Sequence, residues 1–134
     1  MNQLIHDHFN AIEARLIASP IVAAFDVIRR EVTPTDGKMR IRATLTDDGL
    51  LELFEYVVED QGQLNLQKYS FHWQDAKGEL VQRWDNVNHY PDLPNAPHHA
   101  HLRDGSVQSV PDEPRMMDTL DRIENMFTLG EANY

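Results

Sequence analysis

Residues 68–85 read KYSFHWQDAKGELVQRWD, and two polar-aromatic alternations run through them on either side of a four-residue turn. Asp75 to Gly78 has turn chemistry, with a glycine placed to take positive φ. If the turn sets Gln74 opposite Glu79, then His72 faces Val81, Ser70 faces Arg83 and Lys68 faces Asp85. Side chains in a strand alternate with period two. One face of the hairpin therefore collects Lys68, Ser70, His72, Arg83 and Asp85, and the other collects Tyr69, Phe71, Trp73, Leu80 and Trp84. A slip of one residue would exchange the faces, and the aromatic set makes the proposed pairing the cheaper one. Across the Gln61-Gly62 turn the same spacing brings Glu55 near Lys68 and extends the polar face upstream.

Working outward, the segments at Pro34 to Gly37 and Asp47 to Gly49 repeat the turn signal, so five strands joined by four hairpins are expected from Ile21 onward. In the second strand Met39, Ile41, Ala43 and Leu45 alternate with Lys38, Arg40, Arg42 and Thr44, a half-buried pattern with a basic outer face. Upstream, Leu4, Ile5, Phe9, Ile12 and Leu16 recur at helical spacing, and Ser19-Pro20 ends that segment. Downstream, Asp112 is placed as an N-cap with Pro114 in the first turn, and Met116, Leu120, Ile123 and Phe127 form one stripe. The fold class expected is α+β: an antiparallel meander of about five strands flanked by an N-terminal and a C-terminal helix, in a single domain over residues 1–134. Residues 88–111 hold Pro91, Pro94, Pro97 and Pro111 and are expected to lack regular structure. A loop of that length in a small domain is usually functional or disordered.

Composition narrows the function. With no cysteine, disulfides, thiolate zinc sites and cysteine nucleophiles are excluded. The N-terminus has no basic segment followed by an apolar run, and nowhere do the roughly 18 consecutive apolar residues of a spanning helix occur, so a soluble cytoplasmic protein with no membrane partner is expected. A net charge of −10 opposes broad coating of nucleic acid, although Arg29, Arg30, Lys38, Arg40 and Arg42 supply a local basic patch. No phosphate-binding glycine loop, nucleophile elbow or dinucleotide fingerprint is present.

After the hairpin, His89, His98, His99 and His101 stand within 13 residues of one another. Imidazole serves as acid or base near neutral pH and ligates transition metals when neutral. His99 and His101 would point the same way in an extended segment, as two ligands of one ion do. No acidic residue separates them, however, and the helical His-Glu-x-x-His spacing is missing. The expectation is therefore a site with neither metal nor cofactor. His6 and His8 are expected on the surface of the first helix. Cleavage of an RNA phosphodiester fits the remaining inventory: one imidazole or carboxylate takes the 2′-hydroxyl proton, a second imidazole protonates the leaving oxygen, and Arg or Lys holds the developing charge. A solvated sheet face with cross-strand ion pairs would carry the same hairpin pattern, and a loop pinned by imidazole hydrogen bonds would carry the same histidines.

Residues 69–74 (YSFHWQ), 78–80 (GEL) and 83–86 (RWDN), then His89 and residues 97–101 (PHHAH), resemble the signature of the TumE-type toxin family of prokaryotic toxin–antitoxin modules. The resemblance is most specific from Tyr69 to Gly105. It implies a small toxin acting in the cytoplasm and neutralised by a cognate helix-turn-helix antitoxin, and it implies site positions His72, Arg83, Asp85, His98, His99 and His101 without settling the reaction. The reading adopted is a toxin with metal-independent, ribonuclease-like activity on an RNA substrate, in which the histidine loop folds over the hairpin and Lys68, Ser70 and His89 contact substrate. A toxin that binds a protein partner without catalysis is the alternative. Open edge strands that pair across a two-fold axis would give a homodimer.

Overall fold

A computed structural model describes residues 2–129. Helix α1 (Gln3–Ala18) leads into seven strands and a closing helix. The strands are β1 (Val22–Val32), β2 (Asp36–Leu45), β3 (Leu50–Asp60), β4 (Gln63–Gln74), β5 (Leu80–Asp85), β6 (His99–Leu102) and β7 (Val107–Ser109), and the helix is α2 (Met116–Thr128). The strands form one antiparallel sheet in chain order. The α+β class and the flanking helices are as expected, and the sheet is two strands wider.

Those two strands come from the stretch expected to be irregular. The alternation His99, Ala100, His101 turns Ala100 inward against Trp84 and leaves both imidazoles on the outer face, with Gly105 at φ 88° closing the β6–β7 turn. The prolines Pro91, Pro94 and Pro97 confine the irregular part to residues 86–98, because proline donates no ladder hydrogen bond.

The core lies on one face of the sheet. Ile5, Phe9, Ile12 and Leu16 of α1 and Met116, Leu120 and Ile123 of α2 pack on Met39, Ile41, Leu51, Leu53, Tyr69, Phe71, Trp73 and Trp84. Full burial of each large side chain contributes about 1.5–3 kcal/mol. Asn2 caps α1 by accepting from Ile5 N–H. Helix α2 starts later than expected: Glu113 precedes Pro114 and is biased to extended backbone, Arg115 is itself extended, and no side chain caps the helix. Gly37 lies in β2 rather than in a left-handed turn; a Cβ there would meet Ile5 Cγ2 at 2.5 Å, so the glycine lets α1 approach the sheet. Positive φ falls instead at Asp48, Gln61, Gly62 and Gly78. Among the described residues, no helix is long and apolar enough to cross a membrane.

Candidate functional site

The hairpin pairs two residues away from the expected register. Ser70 faces Asp85, Phe71 faces Trp84 and His72 faces Arg83, and an irregularity between Trp73 and Gln74 absorbs Val81. The turn extends to Asp75 N–H donating to Glu79 C=O, which consumes the residue expected to open β5. An even shift preserves faces, so Tyr69, Phe71, Trp73 and Trp84 are buried inward as expected. Leu80 is the exception, being only partly buried while Val81 is buried.

A bulge between Tyr56 and Val57 breaks the upstream extrapolation. Lys68 faces Tyr56, while Glu55 pairs with Tyr69 on the inner face, where it is 2% exposed and bonded to His8. His8, expected on the surface, is half-buried as the partner of this carboxylate.

On the outer face the strands build a groove of about 670 Å³. Its cations are Arg29, Lys38, Arg40, Lys68 and Arg83, against the single carboxylate Glu52. Phe54 and Tyr56 form its floor, with the Arg40 guanidinium 4.6 Å from the Phe54 centroid and the Lys38 ammonium 5.4 Å from that of Tyr56. Arg30, expected among these cations, turns inward to Glu13 and Asn10 of α1: neighbouring strand residues take opposite faces, and the shift between Val27 and Arg29 sets Arg30 opposite the buried Met39 and Arg29 opposite Arg40. Arg42 pairs with Glu52.

At the β5 end Arg83 links the groove to a second cluster. Its Nε donates to Asp85 Oδ2 at 3.0 Å, and its Nη1 lies 3.5 Å from His72 Nδ1. Asp85 Oδ1 is 3.0 Å from His99 Nε2 and Oδ2 is 3.5 Å from His101 Nε2, with the two imidazole nitrogens 3.1 Å apart. Asp85 and His99 are both buried although they sit on the outer face, because the loop returns over them. Tyr90 packs edge-on against His99 and His101, with centroids 5.0 and 6.0 Å away. Burial pulls the His101 imidazole below its ordinary value, against Asp85, which raises it.

His72, Arg83, Asp85, His99 and His101 thus come together, with Ser70 and Lys68 along the groove wall. His98 does not join them. It stacks on Tyr69 and meets its hydroxyl at 2.9 Å on the inner side, where burial, with smaller contributions from Asp85 and Glu113, pushes the phenol well above its usual range. His89 is exposed in the loop. Sequence reasoning passed over Phe54, Tyr56 and Tyr90. The first two were legible in the alternation Glu52, Phe54, Tyr56, which puts two rings on the polar face.

A protein-family model described as "Toxin TumE" matches residues 11–128, most of the chain. Neither a curated protein nor a solved structure matches it significantly.

Proposed function

The chain belongs to the TumE toxin family, and from that premise we propose that it is a toxin that cleaves RNA on the outer face of its sheet. The observation that carries this reading is the groove: five cations around two aromatic rings, opening at Arg83 onto the Asp85–His99–His101 cluster. Cations that follow a backbone, combined with rings on which bases stack, bind single strands with little sequence preference. They also concentrate positive charge on one face of a protein whose net charge is −10.

Arg83 is the phosphate clamp. His72 and His101 flank it on neighbouring strands. On the His101 side a solvent water takes the proton of the substrate 2′-hydroxyl as that oxygen bonds to phosphorus. The 5′-oxygen then leaves, taking a proton from His72, and a 2′,3′-cyclic phosphate remains. Lys68 and Ser70 hold the adjoining backbone. His98 and His89, by their positions, serve the fold and the loop rather than the reaction. The toxin works as a single unit in the cytoplasm and is held inactive by a helix-turn-helix antitoxin. The short edge strand β7 is where a second copy would pair.

The test is expression in a bacterial host, comparing the wild type with His72→Ala and Arg83→Ala variants of equal soluble yield while growth and total RNA are followed. Growth arrest with RNA decay in the wild type alone is expected. Arrest by all three chains, or arrest with intact RNA, would refute cleavage and favour a toxin that acts by binding a protein.

A further inference from the structure

We propose that Asp85, His99 and His101 bind one divalent metal ion of the zinc class. His99 Nδ1 lies 2.8 Å from the Pro97 carbonyl oxygen. A carbonyl only accepts, so Nδ1 carries the proton and Nε2 of a neutral His99 is left with a lone pair. Nε2 faces Asp85 Oδ1 at 3.0 Å and His101 Nε2 at 3.1 Å. Three atoms able to ligate a metal thus converge, two of them on buried side chains, and two imidazoles with a carboxylate are a donor set that transition metals take. A metal ion joins all three, and all lie within 4.8 Å of one another.

The spacing fits an ion of this kind. Zinc–nitrogen and zinc–oxygen bonds of about 2.0–2.2 Å in a tetrahedron put neighbouring ligand atoms about 3.3 Å apart; His99 Nε2 lies 3.0 Å from Asp85 Oδ1 and 3.1 Å from His101 Nε2, and His101 Nε2 lies 3.5 Å from the other carboxylate oxygen, Oδ2. Two imidazoles with one carboxylate select zinc and its first-row neighbours over magnesium or calcium. Two of the three ligands also have outer partners. His99 donates to Pro97, Asp85 Oδ1 accepts from Val87 N–H at 3.1 Å, and Oδ2 accepts from Arg83; such partners fix ligand orientation in metal sites. Ligands from the ends of two paired strands are held by the ladder itself, Asp85 facing His99 and Arg83 facing His101. The donor set is a carboxylate on β5 and two imidazoles on β6, which is why no local motif announces it.

His101 remains 27% exposed, so the cluster opens toward Arg83. The use assigned to the ion rests on the nuclease reading: bound beside Arg83, it draws electron density from the attacking 2′-oxygen, whose proton passes to solvent. This replaces the metal-free chemistry expected from the sequence. Metal binding itself does not depend on that use.

The test takes the purified full chain, strips it with chelator, incubates it with zinc and separates free ion by gel filtration. One zinc per chain is expected, with a melting temperature that rises with zinc concentration; cobalt in its place should give the visible absorption of a low-coordinate site. His101→Ala, at a partly exposed position, should keep the circular dichroism of the wild type and lose stoichiometric zinc, the cobalt bands and the thermal shift. Asp85→Asn should weaken all three. A wild-type chain that retains no zinc and melts unchanged overturns the proposal, as does zinc retained equally by both variants. Zinc bound by wild type alone, with RNA left intact, upholds the metal site and refutes the nuclease.

Discussion

Arg83 makes the sharpest residue-level prediction, because it contacts both halves of the site. Replacing it with lysine keeps the charge but removes the planar fork, and the Nε bond to Asp85 goes with it. Arg83→Ala should lower the RNA cleavage rate by about 10²–10³, the usual cost of one donor to developing charge. Arg83→Lys should recover only part of that, as single-turnover assays will report. A second residue gives a pH dependence. The Arg103 guanidinium, then the Glu79 and Lys77 N–H groups, hold the Asp75 carboxyl below its ordinary value. Because its folded value is depressed, this stabilisation is fully present above the unfolded value of about 3.9 and is lost as pH falls through the folded one. Asp75→Asn should therefore flatten the acid limb of a plot of melting temperature against pH below about pH 4, and an unchanged limb would show that Asp75 plays no part in it. At this scale the sequence was least informative. The turning of Arg30 to α1 follows from an irregularity in β1, and the placing of Glu55 beside Lys68 fails at an irregularity between β3 and β4; neither is announced by composition.

Elements were far more legible, and for a physical reason. The periods 2 and 3.6 survive small errors in register, so β2, α1 and the aromatic face of β4 were read correctly while the pairing of β4 with β5 was two residues off. Strands β6 and β7 escaped notice because, at four and three residues, they are shorter than any periodic signal. The contact between α1 and β2 predicts that Gly37→Ala destabilises the protein by about 1–3 kcal/mol, the cost of overpacking a filled core. Urea unfolding would measure it. A neutral result would mean that Ile5 and Phe9 can withdraw from the added methyl without loss.

The molecule as a whole carries −10 yet presents a cationic groove, so binding to RNA should be steeply sensitive to salt. Engagement of the five groove cations with single-stranded phosphates gives a slope of log K against log salt of up to about −3.5. Lys68→Ala should weaken binding to all sequences alike and reduce that slope by about 0.7. Titration of fluorescent RNA at several salt concentrations measures both, and a slope near zero would remove the groove as a phosphate-binding surface.

The strict chain order of the sheet also governs when the toxin becomes harmful during its own synthesis. Each strand pairs with the one made just before it, so contacts are local and assembly can follow the ribosome from β1 onward. The groove cations and rings are all laid down by Arg83, whereas His99 and His101 join the sheet only with β6. On the reading proposed above, a nascent chain released early would carry the groove residues but lack the imidazoles beside Arg83. If RNA cleavage is the toxin's action, such a fragment, where it folds without β6 and α2, would occupy RNA without cutting it, and premature termination would yield an antagonist of the finished protein.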